Sequence, residues 1–272
     1  MTLSGMWFKL ARTAIMAGQL LFLLFFGWLL TSVMSLALVQ LLCQSKLTTA
    51  VCSFAVELAS IPGMEMPPEG LYNRGILYAR RAEYDRAIFD FDRAIERRPD
   101  DFRTFYWRGL AYSDKGDFDH AVADYDQAIR LNPKYADAYY SRGNAYAKKN
   151  QFDNAIADYD QAIRRDPKDA LAYNNRGSAY ADKGDVDRAI ADYDQAIKLN
   201  PKYALAYRNR GNAYAKKGDS DQAIADYDQA IGLNPKDASA HNDRGRAYGA
   251  KGDHDRAVDD FDTARKLGSH SE

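Results

Sequence analysis

The sequence predicts an all-α fold in which one transmembrane helix is followed by six helical hairpins of 34 residues each. Three observations predict it. The stretch from Thr13 to Ser45 contains no Asp, Glu, Lys, Arg or His. Arginine-glycine pairs then recur every 34 residues, from Arg74-Gly75 to Arg244-Gly245. Each 34-residue unit places small and apolar residues at the spacing of two successive amphipathic helices.

The first segment, residues 1–46, is expected to contain a transmembrane helix at about residues 17–42. About 20 apolar residues span the hydrocarbon core of a bilayer, and residues 20–30 are nearly all large and apolar. The alternative is a cleaved secretory signal with Lys9 and Arg12 as its basic region. Its apolar region would usually be only about 7–15 residues long, so we expect an uncleaved single-pass anchor.

Positive charge near the ends of this helix predicts its orientation. Lys9 and Arg12 precede it, and only Lys46 closely follows. Because cytoplasmic flanks carry the excess of Lys and Arg, we expect the C-terminal part to be extracytoplasmic, which is periplasmic in a bacterium. Cleavage of a signal would instead make the chain a secreted protein. Residues 47–67 form a linker or interfacial segment, interrupted by Pro62-Gly63 and Pro67-Pro68.

The 34-residue units account for residues 68–271. Their expected bounds are 68–101, 102–135, 136–169, 170–203, 204–237 and 238–271. Between the two helices of most units lies a glycine-aspartate pair such as Gly184-Asp185. Glycine can take the left-handed conformation that ends a helix, and aspartate can cap the next one. In the first unit Ala82 replaces this glycine, which predicts a differently closed turn, and in the third Asn150 replaces it. A proline such as Pro201 then ends the second helix at the preceding residue.

The unit resembles the tetratricopeptide repeat. The family pattern is an aromatic residue, glycine and tyrosine on the first helix, then alanine, an aromatic residue, alanine and proline. In the third unit the pattern is met by Tyr139, Gly143, Tyr146, Ala155, Tyr159, Ala162 and Pro167. His241 replaces the leading aromatic residue in the last unit, and arginine precedes the glycine where the family often has leucine. The resemblance implies a right-handed α-solenoid whose small residues let the helices approach closely.

Charged residues also follow the period. Each unit has an arginine before its glycine and an aspartate 16 residues later, from Arg74 and Asp90 to Arg244 and Asp260. We expect these rows to pair within a hairpin or between adjacent units, the alternative being separately solvated charges. In the last unit Arg265 replaces an isoleucine row and Asp259 replaces an alanine found in four preceding units. These two positions are expected to face a next repeat and so to make a polar end.

The composition argues against several functions. With 37 basic and 38 acidic residues, the chain offers no positive field for nucleic acid. No phosphate loop or Gly-x-Ser-x-Gly motif is present, and the four histidines are scattered. The two cysteines, Cys43 and Cys52, lie in or near the apolar segment. We therefore expect no enzymatic activity, no cofactor and no bound metal.

The remaining candidate site is the concave surface, which in the resembled family is lined chiefly by first-helix residues. The positions change from aromatic in the early units to amide and basic in the later ones. Amides could bond the backbone of an extended peptide, and arginines could hold an acidic group. The candidate groove residues are Tyr106, Trp107, Tyr140, Asn144, Asn174, Asn175, Arg208, Asn209, Asn212, Asn242 and Arg246.

The expected function is that of a membrane-tethered interaction scaffold or assembly factor, which binds a partner protein or extended peptide in this groove. Two alternatives stay open: a structural solenoid that self-associates, and a non-catalytic adaptor subunit of a membrane complex. The partner and the oligomeric state are not fixed by the sequence.

Overall fold

The computed structural model describes residues 66–268, which form twelve α-helices in six consecutive pairs. The first helices of the pairs are α1 (Pro68–Arg80), α3 (Phe102–Asp114), α5 (Ala136–Lys148), α7 (Ala170–Asp182), α9 (Ala204–Lys217) and α11 (Ala238–Ala250). The second helices are α2 (Tyr84–Arg97), α4 (Phe118–Leu131), α6 (Phe152–Arg165), α8 (Val186–Leu199), α10 (Ser220–Leu233) and α12 (His254–Gly268). The sequence prediction of six helical hairpins is confirmed.

The expected membrane helix at residues 17–42 lies outside the described residues. Between residues 66 and 268, none of the helices is long and hydrophobic enough to span a bilayer.

The contacts among the helices define an inner and an outer layer of this solenoid. Each helix packs most extensively on its partner within the pair and next on the adjacent helix of the neighbouring pair. Successive odd-numbered helices also contact one another, whereas successive even-numbered helices hardly meet. The odd-numbered helices therefore lie on the concave side of the stack.

A glycine in each odd-numbered helix sets the spacing within a pair. A Cβ atom added to Gly177 would lie 2.9 Å from Cε1 of Tyr193 and 3.1 Å from the carbonyl oxygen of Ala189. Tyr193 is buried, and the rings at its position in the other units that are followed by a further unit are buried as well: Phe91, Tyr125, Tyr159 and Tyr227. The predicted role of these small residues in close helix approach is confirmed, because a side chain at this position would meet a ring that cannot move aside.

The turns inside the pairs are closed in the same way in all six units. Gly184 has φ 87°, and Ala82 and Asn150 adopt the same left-handed region with φ 58° and 57°. The amide of Ala82 donates to the carbonyl of Ala79, and that of Gly184 donates to the carbonyl of Ala181. The prediction of a differently closed turn at Ala82 is therefore wrong. The hydrogen bonds of the turn fix the backbone, and alanine is held in a conformation that costs roughly 1–2 kcal/mol.

The aspartates after the turns cap the second helices, as predicted. The side chain of Asp185 accepts a hydrogen bond from the amide of Arg188 at the start of α8. Asp117 and Asp219 do the same for α4 and α10. By contrast, Glu83 and Gln151 precede α2 and α6 without a side-chain cap.

The predicted arginine–aspartate rows form ion pairs in every repeat. In the fourth unit Nε of Arg176 lies 2.8 Å from Oδ2 of Asp192, and Nη2 lies 2.6 Å from Oδ1. The remaining nitrogen, Nη1, reaches Asp160 of the preceding unit at 2.5 Å. Burial raises the pKa of Asp192 while the hydrogen bonds and charge of Arg176 act against it, and the bond to Asp192 raises the pKa of Arg176. The pair therefore joins a buried carboxylate to a half-buried guanidinium. Each arginine from Arg108 onward makes both contacts, so the ladder joins neighbouring units as well as the helices of one hairpin.

The last unit departs from the expected polar end. The alanines at the position of Asp259 are exposed in every preceding unit that has them, so this position does not face a neighbouring repeat. The aspartate there does not make the end surface of the solenoid polar. The face of α12 that matches the internal contact surfaces instead carries Val258, which is 57% exposed, and Phe261, which is 37% exposed. The expectation is therefore wrong for Asp259, whereas Arg265 does stand in a contact row, since Ile163 of that row packs with Ala172 of the next unit.

Candidate functional site

The candidate groove is the surface of the odd-numbered helices on the concave side of the stack. Its early part, in the first three units, is aromatic. Tyr106 packs against the buried ring of Tyr125 and makes edge contacts with Trp107 and Tyr135, whose ring centroids lie 6.3 and 5.0 Å from its own. Tyr140 packs in the same way against Tyr159. These groove rings are half-buried, so each supplies apolar contact area while one side stays accessible.

The tyrosines of this region are neutral phenols, and burial raises their pKa values further above physiological pH. Burial raises the pKa of Tyr106, partly opposed by a hydrogen bond with Ser141. Burial likewise raises the pKa of Tyr140, partly opposed by hydrogen bonds with Asn144 and Asn175. Both hydroxyls therefore remain hydrogen-bonding groups rather than charges at any physiological pH.

The middle of the groove is crossed by a chain of side-chain amides that bond one another. Asn175 donates through Nδ2 to the hydroxyl of Tyr140 at 3.0 Å and to Oδ1 of Asn144 at 2.9 Å. Asn174 donates to Oδ1 of Asn175 at 3.1 Å and accepts from Nδ2 of Asn209 at 3.0 Å. We call Asn144, Asn174, Asn175 and Asn209 the amide chain. It connects the third, fourth and fifth units through their odd-numbered helices.

The amide chain changes the role of two predicted groove residues. Asn174 is only 1% exposed, so its amide is enclosed between units and lies out of reach of a peptide in the groove. Asn175 uses both its oxygen and its nitrogen on neighbouring side chains. Both residues therefore hold the surface in shape, and a partner would meet the accessible remainder of Asn144 and Asn209.

The late part of the groove contains a cluster of arginines and aspartates, of which the sequence predicted only the arginines as groove residues. Nη1 of Arg208 donates to both carboxylate oxygens of Asp237 at 3.1 Å, and its Nε is buried without a hydrogen-bond partner among residues 66–268. Burial raises the pKa of Asp243, while the charges of Arg208 and Arg246 lower it. Arg208 is thus already engaged by acidic groups of the chain and is not a free clamp for a carboxylate.

Three predicted residues remain exposed or without a partner at this end. Arg246 is exposed and makes no ion pair within the described part of the chain, and Asn242 makes no side-chain hydrogen bond there. Asn212 is exposed and accepts from the hydroxyl of Tyr227 at 2.7 Å, which leaves its Nδ2 free to donate. These side chains offer two amides and one guanidinium to a ligand.

Sequence reasoning missed the role of Asp237 and Asp243 in this cluster. Asp237 precedes α11 and caps it through bonds to the amides of Ser239 and Ala240, so the sequence shows it only as a capping residue. Asp243 replaces residues that are neutral in the other units, and this break in its row was the available signal.

Comparisons with known proteins agree with the architecture. Family models described as tetratricopeptide repeat or TPR repeat match residues 68–101, 109–150, 140–204, 174–237 and 208–272. No curated protein sequence matches the chain.

Many solved structures are similar to the solenoid. A crystal structure of MamA is 31% identical, with a TM-score of 0.56 over 60% of this chain and 95% of that one. YrrB, described as a TPR protein with an unusual peptide-binding site, is 24% identical, with a TM-score of 0.54 over 65% and 91% of the two chains. A tetratricopeptide repeat protein from Parabacteroides merdae is 20% identical, with a TM-score of 0.66 over 85% and 90%. At the identities of the last two proteins the likeness concerns the fold alone.

Proposed function

We propose that this chain, which belongs to the tetratricopeptide repeat family, binds an extended peptide of a partner protein in its concave groove. Tetratricopeptide repeat domains generally serve as protein–protein interaction scaffolds and are typically non-catalytic. The finer assignment, to this groove and to a peptide, is our own and depends on the side chains that the odd-numbered helices present.

The observation that carries the proposal is the division of the polar groups along the groove. The amide chain is held by hydrogen bonds among its own members and connects three units, so the surface is ordered before a ligand arrives. Asn212, Asn242 and Arg246 lie beyond it and retain donors without partners in the described residues. A preorganised surface loses little conformational entropy on binding, and donors spaced along an extended chain suit the carbonyls of a peptide backbone.

The aromatic part of the groove would supply most of the affinity. Trp107, Tyr106 and Tyr140 are half-buried rings fixed by their neighbours, and rigid aromatic side chains dominate the energetics of many interfaces. A peptide that covers both parts would place apolar side chains over the first three units and polar backbone groups or an acidic group over the last two.

We further propose that the N-terminal segment tethers the solenoid to a membrane. The support is the uncharged stretch between Thr13 and Ser45, and the arrangement of Lys9 and Arg12 favours an extracytoplasmic solenoid. Tethering would raise the effective concentration of the groove for other membrane components. Protease treatment of cells whose outer envelope has been opened and whose cytoplasmic membrane is intact, compared with lysed cells, tests the orientation: digestion of the solenoid only after lysis would place it in the cytoplasm and contradict the proposal.

A pair of matched triple variants tests the groove. The groove variant carries Asn212→Ala, Asn242→Ala and Arg246→Ala, and the control variant carries Gln222→Ala, Gln229→Ala and Lys198→Ala on exposed positions of α8 and α10. Both remove two amides and one positive charge. Partners are captured by chemical cross-linking in the producing cells with wild-type and variant chains as bait. A partner retained by the control and lost by the groove variant supports the proposal, whereas a partner retained equally by both contradicts it.

A further inference from the structure

We propose that the two ends of the solenoid bind each other between copies of this chain, so that α12 of one copy receives α1 of the next. The argument rests on the recurring junction between units and does not depend on what the groove binds. Within residues 66–268, each half of that junction lacks its counterpart at one end of the solenoid: the even-numbered half at α12 and the odd-numbered half at α1.

The internal junctions are built from the same rows of residues each time. Where α8 meets α9, Ala189 and Tyr193 pack with Ala213, and Ile190 is packed against them. Ion pairs flank this apolar contact on both sides. Nη1 of Arg210 lies 2.5 Å from Oδ1 of Asp194, and Nζ of Lys217 lies 2.7 Å from Oδ1 of Asp187.

The two flanking pairs recur at every internal junction. Arginines that reach back to the preceding unit form the pairs Arg108–Asp92, Arg142–Asp126, Arg176–Asp160, Arg210–Asp194 and Arg244–Asp228. Lysines that reach back form the pairs Lys115–Asp85, Lys149–Asp119, Lys183–Asp153, Lys217–Asp187 and Lys251–Asp221. Each even-numbered helix up to α10 thus supplies two carboxylates, and the odd-numbered helix or turn that follows supplies two cations.

Helix α12 carries the even-numbered half of this junction without a neighbour. Val258 and Phe261 are 57% and 37% exposed, whereas the residues at the same positions of α10 are 9% and 2% exposed. Asp255 stands in the row of carboxylates that lysines contact, and its side chain is exposed with no partner in the described residues. Asp262 stands in the row that arginines contact, and among residues 66–268 its carboxylate meets only the exposed Arg265 of the same helix.

Helix α1 and its turn carry the odd-numbered half. Arg74 uses Nε and Nη2 on Asp90, and within residues 66–268 its Nη1 has no carboxylate of a preceding unit. Arg81 occupies the lysine row, and its side chain is exposed and has no partner in the same range. Leu77 stands in the row of the buried junction alanines such as Ala213. It brings an apolar side chain to the face of α12, and because it is larger than alanine the two copies pack less closely than neighbouring units do.

A second copy of the chain supplies a partner for each of these charged side chains and for the apolar face at the same time. Docking in the register of the internal junctions joins Arg81 to Asp255 and Arg74 to Asp262, and it covers the apolar face of α12. Two cations at one end thus face two carboxylates at the other, which favours this register over other orientations. The contact uses different surfaces on the two copies, so it extends into an open chain of copies rather than closing into a symmetric dimer.

Charge exchange between the ends tests the proposal on the full chain, purified in a mild detergent and followed by sedimentation velocity over a range of concentrations. The wild type is expected to form larger species as concentration rises. Asp255→Lys and Arg81→Glu, each alone, place like charges opposite each other in every contact and should weaken association by about tenfold or more. An equimolar mixture of the two variants should associate again. In the mixture the new lysine on α12 of one variant lies opposite the new glutamate after α1 of the other, and the two remaining ends keep their native charges.

The control is Asp259→Lys, which makes the same charge change on α12 at an exposed row that takes no part in the internal junctions. It should associate as the wild type does. The proposal is overturned if the wild type remains a single species at all concentrations, or if each charge variant associates as strongly as the wild type. It is also overturned if the mixture is no stronger than either variant alone, or if Asp259→Lys weakens association as much as Asp255→Lys.

Discussion

At the residue scale, single positions differ between units while the backbone does not. Ala82, Asn150 and four glycines all adopt the left-handed conformation at the same point of the turn. The hydrogen bonds on either side of this residue are made by backbone groups, so they form whatever the side chain is. The residue type changes the strain at this position and leaves the shape of the turn intact.

Replacing Ala82 by glycine should therefore stabilise the solenoid. Glycine has no Cβ to clash at φ 58°, and the gain should be about 1 kcal/mol of unfolding free energy. Urea unfolding followed by far-ultraviolet circular dichroism measures it. The reciprocal change, Gly184→Ala, should destabilise by a similar amount although there is open space around a Cβ at that position. If both substitutions were neutral, backbone strain would not be the relevant difference.

A second prediction concerns the glycines that meet aromatic rings. Gly177→Ala should lower the unfolding free energy by about 1–3 kcal/mol, because its Cβ would overlap the buried ring of Tyr193. Gly232→Ala is the matched control: it lies in α10 with nothing within contact distance of an added Cβ. Alanine is the better helix former by up to about 1 kcal/mol, so this control should stabilise. Equal effects of the two substitutions would contradict the packing argument.

At the scale of the helix pair, the arginine–aspartate ladder was predictable only in part. The arginine and aspartate rows recur at a constant offset, and this regularity identified the partners within each hairpin. The second carboxylate, such as Asp160 for Arg176, belongs to another row that is also periodic. Several aspartate rows share the same period, so periodicity alone cannot say which one lies across the junction. That assignment requires the stacking geometry.

Thermodynamic coupling across one rung tests its contribution. In a double-mutant cycle on Arg176 and Asp192, with alanine at both positions, we expect a coupling of about 1–3 kcal/mol in unfolding free energy. The bond is bidentate and Asp192 is buried, so Arg176→Ala leaves a buried carboxylate without its partner, whereas Asp192→Ala leaves Arg176 with Asp160 alone. The parallel cycle on Lys183 and Asp153, an exposed pair, should show coupling near zero. Coupling of equal size in both cycles would show that burial does not strengthen the arginine–aspartate ion pairs.

The amide chain shows where sequence reasoning about the groove reached its limit. Asn144, Asn174, Asn175 and Asn209 lie on the predicted helices, and their identity as hydrogen-bonding residues of the concave layer was predictable. Their partners were not, because neighbouring units approach closely enough for the amides to bond one another before any ligand does. Only the exposure of each side chain separates the residues that order the surface from those, such as Arg246, that remain open to a partner.

At the scale of the whole solenoid, stability should vary along the chain because, within residues 66–268, each unit packs on its immediate neighbours. The fifth unit is covered on both sides, while α12 has the exposed Val258 and Phe261 on its outer face. We therefore expect amide hydrogen exchange at low protein concentration to be faster in α12 than in α8 or α10, whose sequences are closely similar.

The comparison is best made at equivalent amides, such as those of Ala189, Ala223 and Ala257, since each donates to the carbonyl of a capping aspartate and lies at the same place in its helix. Local opening of a helix that lacks one neighbour requires less free energy than opening one held on both sides, so protection should fall at Ala257 first. Raising the concentration should then restore protection in α12 selectively, because the docking of another copy covers the face that is otherwise open. Uniform protection from α2 to α12 at low concentration would mean that the units unfold together, and the coupling between neighbours would have to exceed the stability of any single unit.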